Sequence, residues 1–195
     1  MRQRLAKLTS DILNPFLVSF IIIILLALES TPRPIDALKW ALVSLALSVL
    51  PVFTVVIYLV RRRMIDGIFV NTRQQRTGIY GLASALGAIG CGVLWYFGAP
   101  RVLLSAFTAG LSAMVVFMVI NLFWKISLHT AFMAASVTIL TIVYGAAGAL
   151  AILLLALVAW ARLERKMHSP WQVAAGALLA AGIVAGVFRC FGIIG

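Results

Sequence analysis

Residues 150–191 read LAILLLALVAWA, then RLERKMHSPWQ, then VAAGALLAAGIVAGVFRCF: an apolar run from Leu150 to Ala161, a polar island from Arg162 to Gln172, and a second apolar run from Val173 to Phe191. A hydrocarbon core about 30 Å thick is spanned by roughly 20 predominantly apolar residues in α-helix. The two runs therefore predict two membrane helices, with the island between them at a membrane face. Within the island, Gln172 follows His168 at the i+4 spacing that puts two side chains on one helical face. The other histidine, His129, sits in a second short polar break, Lys125 to Thr130.

The same pattern extends along the chain. Further apolar runs cover Phe16 to Leu28, Trp40 to Val60, Ile79 to Phe97, Val102 to Phe123 and Ala131 to Tyr144. The 195 residues are 64% hydrophobic and only 11% charged, and the mean hydropathy is +1.12. Such a composition excludes a soluble domain and predicts an all-α, polytopic membrane bundle of six to seven transmembrane helices. Residues 1–60 form a basic N-terminal segment with two helices, and residues 61–195 form the core of what is one membrane domain overall. Phe16 to Leu28 has the look of a signal-peptide apolar region, but no small-x-small cleavage site follows it, so it is kept as a span. Pro15 suits a first helical turn, Pro51 predicts a kink, and Trp40 is expected at an interface. Gly145 to Gly148 is read as a turn. Cys91 and Cys190, each inside an apolar run, are expected to be free buried thiols.

The net charge of +11 is carried by short segments between apolar runs, where it meets lipid headgroups or phosphates, and this argues against nucleic acid as a partner. The most polar connector, Arg61 to Thr77, holds Asp66, Asn71, Arg73, Gln74, Gln75 and Arg76. Asp66 there is read as orienting a nearby arginine. With alternating spans, the N-terminus, this connector, the His129 break and the Arg162 to Gln172 island fall on one face. Most of the basic residues fall there too. The positive-inside rule makes that face cytoplasmic, in a cell membrane such as a bacterial inner membrane.

The segment Ala161-Arg162-x5-His168-x3-Gln172 resembles the third signature, Ser-Arg-x5-His-x3-Asp, of the type 2 phosphatidic acid phosphatase (PAP2) superfamily. Ile126-Ser127-Leu128-His129 resembles its second, Pro-Ser-Gly-His, and Arg76-Thr77 falls where its first, Lys-x6-Arg-Pro, ends. The resemblance covers roughly Arg61 to the C-terminus. Phe69 stands at the lysine position of the first signature, Thr77 at its proline, Ala161 at the serine of the third and Gln172 at its aspartate.

The resemblance implies a PAP2-like core and a membrane lipid phosphatase working through a phosphohistidine, with no cofactor and no metal. His168 would be the nucleophile and His129 the general acid. Arg162 and Arg76 would clamp phosphoryl oxygens, as guanidinium forks do. Arg73 shares a helical face with Arg76 as a further phosphate contact, and Ser127 would donate a hydrogen bond. Lys125, one helical turn before His129, is expected to replace the missing lysine. Gln172 would accept the hydrogen bond from the His168 imidazole through its amide oxygen, without the aspartate's charge. Glu164, four residues before His168, is an alternative source of that charge. The implied substrate is a polyprenyl phosphate or diphosphate, or phosphatidate. The sequence carries no sign of oligomeric state.

Three other classes share part of this pattern. A magnesium-dependent prenyltransferase needs clustered aspartates, and the five acidic residues are scattered. A transporter or channel needs ionisable groups within its spans, and these hold almost none. The third alternative is a PAP2-like protein weakened by loss of the aspartate, which binds lipid phosphates or serves as a structural membrane subunit.

Overall fold

The computed structural model describes residues 1–70 and 72–195; Asn71 of the polar connector lies outside the described residues. Every regular element among them is an α-helix: α1 Arg2–Ile12, α2 Pro15–Ser30, α3 Pro34–Leu47, α4 Val49–Arg61, α5 Arg73–Tyr96, α6 Arg101–Asn121, α7 Leu128–Tyr144, α8 Ala146–Ala149, α9 Ile152–Glu164 and α10 Pro170–Cys190. The all-α bundle is the fold the apolar runs predict. Five helical stretches are long and apolar enough to cross a membrane: Pro34–Arg61, Arg73–Tyr96, Arg101–Asn121, Ala146–Glu164 and Pro170–Cys190. The pair α1 and α2, bent by 44°, makes a sixth if taken as one span, and α7 is apolar but shorter. Their length and composition are those of an integral membrane protein.

The helices gather into two compact units, residues 22–125 and residues 1–21 with 126–195. In the first, α3 and α4 break at Ser48 rather than at Pro51. The ring of Pro51 leaves no hydrogen for the carbonyl four residues earlier, at Leu47, so the discontinuity appears one turn ahead of the proline. Trp40 is buried in α3, with the Lys39 ammonium 4.7 Å from its ring centroid. The α5–α6 hairpin turns at Gly98, whose φ of 67° is open to glycine. A Cβ on Gly90 would come within 2.9 Å of the Phe107 ring, so the missing side chain sets how closely α5 and α6 approach. In the connector, Asp66 accepts hydrogen bonds from Thr72 and Gln75 rather than meeting an arginine. These bonds, that of Thr72 first, hold its carboxyl below the usual carboxylate range. Cys91 is half-buried and Cys190, the last residue of α10, is exposed rather than buried as expected; both are free thiols.

The second unit holds α1, the start of α2, and α7 to α10. Helix α7 packs on α10, α9 and α8, and α1 packs on α9. The N-terminal segment is thus a helix with a packing face, Ala6 and Ser10. Asn14 then caps α2 by accepting from the Leu17 N–H at 3.0 Å, and Pro15 opens that helix as expected. Where a turn was expected at Gly145 to Gly148, the chain forms the short helix α8, Ala146–Ala149.

Helix α9 ends in a Schellman turn: Lys166 N–H bonds the Leu163 carbonyl at 2.9 Å and Met167 N–H the Arg162 carbonyl at 3.2 Å. That turn requires a left-handed residue, and the chain uses Lys166 at φ 53°, where a lysine costs roughly 1–2 kcal/mol relative to a relaxed backbone. Lys166→Gly is therefore expected to raise thermal stability in detergent by about 1 kcal/mol. Thermal unfolding followed by circular dichroism checks this, and a lower midpoint would show that the lysine side chain has its own structural role.

Candidate functional site

The polar island folds as two helix ends joined by five residues, Arg165 to Ser169. Arg162 is the third residue from the end of α9, the Schellman turn reverses the chain, and Ser169 and Pro170 begin α10. Ser169 accepts from the Gln172 N–H at 3.3 Å while its own N–H donates to Gln172 Oε1 at 3.1 Å, a reciprocal capping box. Five residues between arginine and histidine are what this turn consumes. His168 therefore precedes the helix instead of sharing a helical face with Gln172, and the capping box brings the two together.

The box also fixes chemistry. Because Gln172 Oε1 receives a main-chain N–H, that atom must be the amide oxygen, so the flip of the amide is settled by its partners. His168 Nδ1 lies 3.1 Å from the same oxygen. A carbonyl oxygen only accepts, so Nδ1 carries the proton, and in the neutral ring the lone pair sits on Nε2. Gln172 thus orients the imidazole as a carboxylate would, but supplies no charge.

His129 lies in the first turn of α7, whose N-cap is Ser127. Ser127 is fully buried: its hydroxyl accepts from the Thr130 N–H, its carbonyl from the Thr130 hydroxyl at 3.0 Å, and its N–H donates to the Gln172 carbonyl at 3.1 Å. Its observed work is to fasten the start of α7 to the start of α10. The same Thr130 hydroxyl proton is shared with the Val173 carbonyl, 3.2 Å away, which reinforces this. Residues 127 and 172 are bonded directly, so the two histidines are carried by helix starts locked to each other. The charges of Arg162 and His168 both bear on His129. Arg162, His129 and His168 are all buried in this unit, and burial strengthens every electrostatic interaction among them.

Two sequence expectations change here. Helix α7 begins at Leu128 because Ser127 caps it, so no helical turn aligns Lys125 with His129. Glu164 bridges to Arg2 at 3.8 Å and its carbonyl takes a hydrogen bond from the Gln3 amide at 2.7 Å; its partners are on α1. Arg73, Arg76 and Lys125 belong to the unit of residues 22–125. There, buried Arg76 donates through Nε to the Val70 carbonyl at 2.7 Å, and Arg73 donates to the Leu122 carbonyl. Asn121 holds the Arg73 carbonyl at 2.9 Å, the interhelical bonding typical of a polar residue among apolar helices.

One residue escaped the sequence reading. Ser10 of α1 is completely buried, with its hydroxyl 3.5 Å from Arg162 Nη1. No motif marks it, since it lies 152 positions from its partner. The cue available was a serine on the apolar side of a basic segment. Among the described residues, no three histidine, cysteine, aspartate or glutamate side chains gather as metal ligands.

The fold and these contacts define a helical membrane protein with a buried histidine–arginine cluster at two fastened helix starts. Comparison with family models, curated proteins and solved structures yields no match to the chain.

Proposed function

We propose that this protein is a membrane lipid phosphatase of PAP2 type, hydrolysing a phosphate or diphosphate carried on a lipid tail through a phosphohistidine on His168. The observation that carries the reading is the capping-box amide of Gln172, which assigns the Nδ1 proton of buried His168 and leaves the nucleophilic lone pair on Nε2. Arg162 and His129 beside it supply the other requirements of phosphoryl transfer, a cation for the equatorial oxygens and a proton donor for the leaving oxygen. In the first step His168 Nε2 bonds to phosphorus as the bond to the bridging oxygen breaks, and His129 gives its proton to that oxygen. In the second, water attacks phosphorus, His129 takes the water's proton, and the phosphorus–nitrogen bond breaks to release phosphate. The concentration of basic residues in the segments between apolar runs supports a cytoplasmic location for this chemistry.

Phosphate release by purified protein in detergent with EDTA, across polyprenyl phosphates, polyprenyl diphosphates and phosphatidate, tests the reading. Release from one of these, with an acid-labile, alkali-stable phosphoryl adduct mapped to His168 after rapid quench, is the expected result. Silence on every lipid would favour instead a protein that binds lipid phosphates or packs as a membrane subunit, the role open to a site whose Gln172 brings no charge.

Gln172→Glu sharpens this. Glutamate preserves the capping box and places a carboxylate on the Nδ1 proton, where it favours the cationic ring that forms as Nε2 bonds phosphorus. A gain in kcat of roughly tenfold, the equivalent of one pKa unit, is expected in the same release assay; an unchanged or lower rate would show that the neutral amide is what this site requires.

A further inference from the structure

Helix α1 reaches the histidine–arginine cluster from the far end of the sequence. Ser10 is fully buried; its hydroxyl stands 3.5 Å from Arg162 Nη1, and its main chain hydrogen-bonds the His129 ring. Two of the three cationic or ionisable side chains of the cluster therefore meet one residue of α1. The helix is fastened where it needs to be for this. Gln3 holds the Glu164 carbonyl and Arg2 its carboxylate, so α1 is tied to the last turn of α9, the turn that carries Arg162. Ala6 and Ser10, one helical turn apart, form its buried face, and side chains this small let the α1 backbone approach α9 closely.

A guanidinium on a long side chain has several rotamers, and binding an anion with it is weakened by the cost of selecting one. A buried hydroxyl at its Nη1 removes part of that cost before the anion arrives. The main-chain contact does the same for His129, and because it is main-chain it survives any substitution at position 10 that leaves α1 in place. The two contacts can thus be separated by mutation.

We propose that Ser10 is a positioning residue of this site: its hydroxyl holds the Arg162 guanidinium in the orientation that receives a phosphoryl group, making the N-terminal helix part of the phosphate-binding apparatus. This rests on the phosphatase reading. It assigns Ser10 to binding rather than to the chemical step, so its loss acts on KM and leaves kcat nearly unchanged.

The full-length protein is compared with Ser10→Ala, Ser10→Cys and Ser10→Thr in two assays. One is lipid phosphate hydrolysis with KM and kcat resolved; the other is the rise in unfolding temperature produced by orthovanadate. Ser10→Ala and Ser10→Cys, the second preserving volume without a strong acceptor, are expected to raise KM about tenfold, as loss of one hydrogen bond to a charged group does. Both should lose most of the vanadate-induced shift while unfolding near the wild-type temperature without vanadate. Ser10→Thr, which retains the hydroxyl, is expected to restore the KM and the shift. A wild type that responds to vanadate alongside Ser10→Ala and Ser10→Cys proteins that respond equally overturns the role of Ser10 alone. A fall in kcat with KM unchanged in the Ala and Cys variants also overturns it. A wild type that neither hydrolyses lipid phosphate nor responds to vanadate overturns the phosphatase reading and this role with it.

Discussion

His168→Ala is expected to reduce phosphate release by on the order of 10³-fold or more, the scale seen when a covalent nucleophile is removed, while the protein folds as before. Both halves follow from the position of the residue. It precedes the N-cap of α10, and the capping box that starts the helix is made by Ser169 and Gln172 without it. Its ring shares Gln172 Oε1 with the Ser169 N–H, so after alanine substitution the Ser169 N–H still satisfies the amide oxygen. Elution volume in detergent and helical circular dichroism should therefore match wild type. The phosphoryl adduct should vanish with the activity, since no other group in the proposed sequence can form it. His129→Ala makes the contrast. It removes the proton donor for the leaving oxygen but not the nucleophile, so its defect should shrink on a p-nitrophenyl phosphate, whose leaving group needs no proton. A His168→Ala protein that retains wild-type turnover would place the nucleophile elsewhere and end the phosphohistidine scheme.

The sequence carried the fold well because composition alone decides it: apolar runs near the length of a hydrocarbon core leave the backbone no choice but helix. Boundaries were less legible. Helix α7 begins at Leu128 and not Ala131, α10 at Pro170 and not Val173, and α5 at Arg73 and not Ile79. In each case the first turn carries polar residues, and hydropathy cannot see a turn started by Ser127 or by the Ser169 box. The same blindness produced the expectation for Lys125, which assumed helix where a serine cap excludes it. Within the site, Arg162, His168 and Gln172 were legible because one local device, helix end, turn and helix start, dictates their spacing. Ser10 was not, because its relation to Arg162 is created by the packing of α1 on α9. A basic segment ahead of an apolar run reads as lipid-facing, and only the structure reveals that its small residues face inward. Glu164 makes the same point: its spacing to His168 suggested a partner, yet a residue from α1, distant in sequence, takes it.

The second large effect is expected at Gly176, where Val should destabilise the protein by about 3 kcal/mol, the upper part of the usual range for overpacking, and should lower activity with it. A Cβ there would lie 2.7 Å from the Ser127 carbonyl oxygen and 3.3 Å from the Thr130 hydroxyl. The first of these is backbone, so no side-chain rotation relieves it, and the start of α7 must move away from α10. That movement stretches the bonds from Ser127 N–H to the Gln172 carbonyl and from the Thr130 hydroxyl to the Val173 carbonyl. Those are the bonds that keep His129 and His168 in register, so stability and catalysis should fall together although valine touches neither histidine. Gly182 on the same helix is the control. It has no neighbouring atom within 4 Å of a built Cβ, and Gly182→Ala should be neutral or stabilising by up to about 1 kcal/mol through helix propensity. Thermal unfolding and phosphate release, measured on both variants, decide the matter. A Gly176→Val protein as stable and active as Gly182→Ala would mean that α7 and α10 can separate without cost, and that the two histidines do not depend on the fastening between Ser127 and Gln172.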